Sequence, residues 1–117
     1  MGARQVQSTA RAHTTGGRDT GANPELLFAA AWSACFLDAV RFAATRLEIT
    51  LGPGLAIDAE VDLCSAGGGA PFLQARFTVR MPGLGRDVAD TLVEMARQMC
   101  PYSRATRGNI DLRVKVA

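Results

Sequence analysis

Three cysteines, Cys35, Cys64 and Cys100, are the residues of this chain best suited to redox or nucleophilic chemistry. Their number is odd and their spacing is wide, whereas a disulfide scaffold is rich in cysteine and a zinc site shows short paired spacings. The only histidine, His13, lies in a polar N-terminal segment, so we expect no metal site. The pattern favours one or two reactive thiols in a reducing compartment, and it predicts a cytoplasmic protein.

Cys35 lies in the apolar stretch LFAAAWSACFLDAV, two to three turns inside a predicted helix. Burial raises the pKa of a thiol, and Asp38 raises it further if the two residues share a face. An isolated cysteine on an apolar helix is usually a small core residue. Cys35 is therefore expected to act as a nucleophile only if a cation reaches it from elsewhere in the fold.

Cys100 precedes Pro101 and is expected at the C-terminal end of a second helix. The negative end of the helix dipole disfavours a thiolate, so Cys100 is better suited to attack a sulfur that is already oxidised. Cys64 falls on an alternating strand, where a packing role is expected. Spacing alone leaves open whether Cys35 and Cys100 meet.

The elements that position these thiols predict one α+β domain over residues 1–117. Asn23 is a cap, Pro24 and Glu25 suit a first turn, and the helix should run to about Leu47. Its first half is apolar nearly all round, which indicates a buried central helix.

The remaining segments alternate in polarity or show helical spacing. Strands are predicted around residues 57–63, 72–79 and 110–116, and a second helix from about Arg86 to Cys100. We expect an antiparallel sheet with the two helices on one face, preceded by an N-terminal arm of residues 1–22.

Composition excludes some classes of partner. The net charge of +2 comes from 13 basic and 11 acidic residues that are interspersed, so no nucleic-acid or membrane-surface binding is expected. The longest uncharged apolar run, residues 26–37, is shorter than the roughly 20 residues that span a bilayer. A domain of this size buries a modest core, which favours pairing with a second copy.

Three stretches of the chain form a recognisable pattern: GGRD (16–19), NPELLFAAAWSACF (23–36) and CPYSRATRGNIDLRVKVA (100–117). They resemble the organic hydroperoxide resistance (Ohr) proteins, a branch of the osmotically inducible protein C (OsmC-like) superfamily of thiol peroxidases. The resemblance runs in order from Gly16 onward, and the two cysteine-centred stretches are its specific part. It implies an OsmC-like fold and a homodimer with shared active sites.

The resemblance also implies a mechanism and its residues. Cys35 would attack an alkyl or lipid hydroperoxide and become a sulfenic acid, and Cys100 would condense with it to a disulfide. A lipoylated protein, dihydrolipoamide or another dithiol would reduce that disulfide, with no metal or tightly bound cofactor. The family's arginine falls on Arg18 and its glutamate on Glu25. Arg18 would supply the cation that Cys35 lacks, and Glu25 would hold the guanidinium in place.

The chain departs from the family pattern in two places. Arg104 stands where family members usually have asparagine, and only three residues separate Asp19 from Asn23, where members carry an extra strand segment. The shortened arm predicts that residues 1–15 are poorly anchored and that Arg18 is loosely held.

Glu25 and Cys35 are ten residues apart, about 15 Å along one helix, so one Arg18 side chain cannot easily contact both. A shared site is therefore predicted, in which Glu25 of one subunit steers Arg18 toward Cys35 of the other. Two alternatives remain. One is an osmotically inducible peroxidase with a different substrate preference, and the other is a non-catalytic or weakly active remnant or binding module that keeps the fold.

Overall fold

The computed structural model describes residues 4–13 and 23–117. Its elements, in chain order, are α1 (Pro24–Arg46), β1 (Ala56–Cys64), β2 (Phe72–Arg80), α2 (Arg86–Met99), α3 (Pro101–Thr106) and β3 (Asp111–Val116). Residues 4–13 form neither helix nor strand and are exposed throughout, as expected for a weakly anchored arm. The GGRD stretch of the arm lies outside the described residues. The predicted α+β class is confirmed.

Helix α1 begins as its sequence predicts and ends one residue early. The Asn23 side chain accepts a hydrogen bond of 2.7 Å from the backbone N–H of Leu26, and Pro24 and Glu25 fill the first turn. This cap satisfies one of the N–H groups that a helix start leaves unpaired. Leu47 follows as the C-terminal cap, with its N–H bonded to the carbonyl of Ala43.

The predicted buried central helix is confirmed, but in the single chain only one face of α1 is buried. Trp32, Phe36, Val40 and Ala43 lie on a fully buried face, whereas other large apolar residues of the helix are 51–59% exposed. These exposed residues are Leu26, Leu27 and Phe42. The sheet, α2 and α3 cover one side of α1 only, and composition cannot show which side is covered.

By length and composition alone, α1 is apolar enough to cross a membrane, so the expectation that no segment would qualify is also wrong. That expectation counted only the uncharged run, which Asp38 ends, whereas a long apolar helix can tolerate a few charges. A core helix passes the same test, and one face of α1 packs against β1 and α2.

The sheet has the order β1-β2-β3 and is mixed. Strands β1 and β2 form the predicted antiparallel hairpin, from the pair Ala56–Arg80 to the pair Cys64–Phe72. Strand β3 pairs with β2 in parallel, so the prediction of a fully antiparallel sheet is wrong at this strand. The reason is the connection: the chain leaves β2, passes through α2 and α3, and returns to the same end of the sheet, as parallel pairing requires.

The core is centred on Phe77 of β2. Its ring packs edge-on against Trp32 at 5.2 Å and against Phe36 at 5.5 Å between ring centroids. Ala75 and Val79, the next residues on the same side of the strand, are also buried. The helices α1 and α2 therefore lie on one face of the sheet, as predicted.

The opposite face of the hairpin is charged. Arg76 bonds the carboxylate of Asp62 at 2.6 Å and Arg80 bonds that of Asp58 at 2.8 Å, across the two strands. Hydrogen bonds from Arg76 and Gln74 lower the pKa of Asp62 to about 2. The outer face is thus made of paired charges on solvent-exposed side chains.

The central position of Phe77 predicts a large loss of stability when its ring is removed. Phe77→Ala should lower the free energy of unfolding by about 3–5 kcal/mol, because a fully buried ring and its two edge contacts are lost. Phe72→Ala, on the same strand but 48% exposed, should cost about 1 kcal/mol or less. Urea unfolding followed by circular dichroism measures both, and equal losses would contradict this description of the core.

Candidate active site

Cys35 lies in the middle of α1, half-buried, at the edge of the helix face that packs into the core. Its helical neighbours on the core side, Trp32 and Phe36, are both 0% exposed. Ala31 and Asp38, one turn before and after Cys35, are exposed. The thiol therefore sits at the border between the packed and the open side of α1.

Cys100 is the residue between α2 and α3 and is fully buried. Its N–H bonds the carbonyl of Ala96 and closes α2, while its sulfur accepts the N–H of Ser103 at 3.5 Å and caps α3. The predicted end of α2 is confirmed. Helix α3 was not predicted. The prediction that Cys100 lies only at the negative end of a helix is therefore wrong, because its sulfur also faces the first turn of α3. The sequence carried a signal for this, because Pro101 after a capping residue is typical of a helix start.

The two sulfurs meet. Cys35 Sγ and Cys100 Sγ are 3.0 Å apart, although the residues are separated by 65 positions in the chain. Both are free thiols. A disulfide has an S–S length of about 2.05 Å, so a closure of about 1 Å would join them. The question that spacing left open is answered by the packing of α1 against α3.

Cys64 does not belong to this pair. It ends β1, half-buried, in register with Phe72. Among the residues that the structure describes, it has no hydrogen bond to either of the other sulfurs.

The surroundings of Cys35 disfavour its thiolate. Burial, first, and the hydrogen bond with the Cys100 thiol raise the pKa of Cys35 to about 11, and Asp38 adds to the rise. The backbone N–H of Tyr102 acts in the opposite direction. This agrees with the sequence-based expectation for burial and Asp38. No cationic side chain of the described residues contributes, so within this part of the chain Cys35 stays protonated at neutral pH.

The other two predicted site residues are not brought to the thiols. Arg18 lies outside the described residues. Glu25 is half-buried in the first turn of α1, about 15 Å from Cys35 along the axis, and borders an open cavity with Ala59 and Val61 of β1. Within the described residues, Cys35 therefore contacts Cys100, whereas Glu25 is too far along α1 to contact Cys35.

The apolar residues nearest to Cys35 in the sequence do not form an apolar pocket around its thiol. Trp32 and Phe36 are core residues, and Leu27 is 59% exposed. Two open cavities of about 470 and 560 Å³ lie elsewhere, and neither is lined by Cys35 or Cys100. What borders Cys35 is the open side of α1, where Leu27, Ala31 and Ala34 are exposed at helical spacing.

Sequence reasoning missed two groups at the site. They are the backbone N–H of Tyr102, which faces Cys35, and the Ser103 hydroxyl, which accepts a 3.0 Å hydrogen bond from the indole N–H of Trp32. A signal was available for the second, because a buried tryptophan N–H and a serine hydroxyl each require a partner.

Comparison with known proteins gives a consistent family assignment. Residues 16–115 match the family described as OsmC-like protein. The organic hydroperoxide resistance protein of Xanthomonas axonopodis pv. citri is 39% identical over 97 residues, which cover 83% of this chain and 68% of that protein. An uncharacterized protein of Acinetobacter baylyi is 35% identical over 140 aligned positions, covering 99% of this chain and 97% of the relative.

The solved structures agree. The crystal structure of the organic hydroperoxide resistance protein OhrB of Bacillus subtilis superposes with a TM-score of 0.79 at 36% identity, over 85% of this chain and 73% of that chain. Family match, sequence identity and superposition all span most of the chain. The chain therefore belongs to the OsmC-like family, and within it to the organic hydroperoxide resistance proteins.

Proposed function

We propose that the protein is a cytoplasmic thiol peroxidase that reduces organic hydroperoxides to alcohols and protects against oxidative stress. The observation that carries the proposal is the 3.0 Å contact between the free thiols of Cys35 and Cys100. The names of the relatives, organic hydroperoxide resistance proteins, support the substrate class. An alkyl or lipid hydroperoxide is the proposed substrate.

In the first step, the Cys35 thiolate attacks the terminal oxygen of the hydroperoxide. An S–O bond forms, the O–O bond breaks, and the alkoxide takes a proton to leave as an alcohol. Cys35 becomes a sulfenic acid, oxidised by two electrons. Cys35 suits this role better than Cys100, because it is half-buried beside the open side of α1 whereas Cys100 is fully buried.

In the second step, the Cys100 sulfur attacks the sulfenic sulfur of Cys35. An S–S bond forms and the S–O bond breaks, and the hydroxyl takes the proton of the Cys100 thiol and leaves as water, so no further oxidant is needed. The closure of about 1 Å suits a reaction between groups already in place. A dithiol, such as dihydrolipoamide or a lipoylated protein, then reduces the disulfide by two electrons, and the cycle needs no tightly bound cofactor.

A cation must act on Cys35 during the first step, because the surroundings of its thiol raise its pKa to about 11. We assign this role to Arg18, with Glu25 as its anchor. The guanidinium would favour the thiolate and stabilise the charge on the departing oxygen.

We further propose that the site is completed in an isologous homodimer. The open side of α1 carries exposed apolar residues, including Leu27 and Phe42, about two turns before and after Cys35. A second copy would bury them and bring its own helix start to the thiol. This arrangement would let Glu25 of one subunit steer Arg18 toward Cys35 of the other, which the 15 Å separation prevents within one helix.

The roles of the thiols predict distinct variants. Cys35→Ser should abolish the consumption of cumene hydroperoxide in the presence of dihydrolipoamide. Cys100→Ser should permit one turnover and leave a sulfenic acid that dimedone traps, because the resolving sulfur is absent. Cys64→Ser is the control and should keep the parent rate. Mass mapping that finds Cys64 in the main disulfide would contradict the assignment, and a parent protein without turnover would favour the non-catalytic remnant.

The role of Arg18 predicts a shift in the titration of Cys35. Alkylation of Cys35, followed by mass spectrometry against pH, should give a lower pKa for Cys35 in the parent than in Arg18→Ala, because the guanidinium stabilises the thiolate. At neutral pH the variant should react more slowly, because less thiolate is present. Arg11→Ala, an exposed arginine of the same arm, is the control. Coincident curves for the parent and Arg18→Ala would exclude Arg18 as the activating cation.

The shared site predicts that association and activity are lost together. Leu27→Glu places a charge on the open side of α1 and should give a monomer in sedimentation, with peroxidase activity lower by roughly tenfold or more. Val88→Glu introduces the same charge at an exposed apolar residue of α2 and should change neither property. A fully active monomer would contradict the shared site.

A further inference from the structure

A buried hydrogen bond joins α1 to α3 beside the two thiols. The indole Nε1–H of Trp32 donates to the hydroxyl oxygen of Ser103 at 3.0 Å, across 71 positions of the chain. Trp32 is 0% exposed, and Ser103, at 6%, is the buried polar residue of the described part. Water cannot readily replace either partner, so the loss of this bond is not compensated by solvent.

The bond runs alongside the sulfur contact. Trp32 lies one turn before Cys35 on α1, and Ser103 lies one turn after Cys100 at the start of α3. The backbone of the same turn faces both sulfurs: the N–H of Ser103 contacts Cys100, and that of Tyr102 acts on Cys35. The position of this turn therefore affects where the Cys100 sulfur lies and which backbone group meets the Cys35 sulfur.

Helix α3 contacts α1 and α2 but buries only one of its side chains. The helix has six residues, and Ser103 is the one that is buried. Pro101, Tyr102 and Arg104 are exposed. A helix of this length has no stability of its own and depends on its tertiary contacts.

We propose that Trp32 and Ser103 are positioning residues whose hydrogen bond holds the first turn of α3 against α1 and so keeps the Cys100 sulfur in contact with that of Cys35. In the reduced protein the bond restricts the pair before any covalent link exists. When it is removed, the reduced state gains freedom, whereas the disulfide state stays tethered by its own S–S bond. The loss therefore disfavours disulfide formation. The importance of this effect for turnover rests on the peroxidase function proposed above.

The test measures the thiol–disulfide equilibrium of the pair with dithiothreitol and its cyclic disulfide, without peroxide. One molecule of cyclic disulfide accepts two electrons and two protons from the Cys35–Cys100 dithiol, so the exchange balances. Ser103→Ala and Trp32→Phe should each lower the equilibrium constant for the protein disulfide by roughly threefold to tenfold, the range expected for one net hydrogen bond. The double variant should lose no more than either single variant, because both remove the same bond.

Thr91→Ala is the matched control, since it removes a hydroxyl from an exposed side chain of α2 that bonds its own helix. It should leave the equilibrium unchanged, and Ser103→Thr, which keeps the hydroxyl, should restore most of the parent value. Urea unfolding of the reduced proteins identifies any general loss of stability. If Trp32→Phe fails to fold, Ser103→Ala and Ser103→Thr still decide the matter.

An unchanged constant in Ser103→Ala, or additive losses in the double variant, would overturn the positioning role. Either result can occur in a fully active peroxidase. Conversely, the predicted shift with no peroxide turnover in the parent would support the positioning role while refuting the function. The two proposals therefore fail in distinguishable ways.

Discussion

Phe77 packs edge-on against Trp32 and Phe36, and this aromatic cluster fixes the rotation of α1 about its own axis. A helix advances about 100° per residue, so two core positions fix the direction of every side chain that lies between them. Cys35 falls between Trp32 and Phe36 in sequence and is consequently held at the flank of the buried face. The same rotation directs the indole N–H of Trp32 to Ser103 and leaves Leu27 and Ala34 on the open side. The thiol contact is therefore a consequence of core packing on the far side of the helix.

This arrangement has an electrostatic cost. Packing a thiol against a second thiol at the edge of a core removes solvent from both, and burial with that neighbour accounts for most of the rise in the pKa of Cys35. A dithiol held in this way is protected from indiscriminate oxidation, because the thiolate is the reactive form. Under the proposed function, the reactivity of Cys35 depends on a positive charge from another part of the molecule. The residues that hold the two sulfurs together are therefore different from the residue that activates Cys35.

The local features of this chain were predictable, and the tertiary ones were not. The start of α1 follows from Asn23 and Pro24, the hairpin follows from alternating polarity, and the end of α2 follows from Pro101. The parallel pairing of β3 could not be read from its alternation, because strand direction is set by the crossover through α2 and α3. Helix α3 has only six residues, too few for a periodic pattern. The meeting of Cys35 and Cys100 depends on how elements 65 positions apart pack. The family resemblance indicated the pairing before the geometry did.

The paired charges on the outer face of the sheet make this side of the molecule chemically different from the helical side. Strand β1 contributes Asp58, Glu60 and Asp62 to this face and β2 contributes Arg76 and Arg80, so ion pairs join the two strands. A partner that covered this surface would have to strip water from every pair, and the attraction already present between the strands would repay none of that cost. A surface of this kind resists burial without carrying a large net field. Under the proposed homodimer, the outer face of the sheet stays in contact with solvent and the second copy packs on the helical side, where the thiols lie.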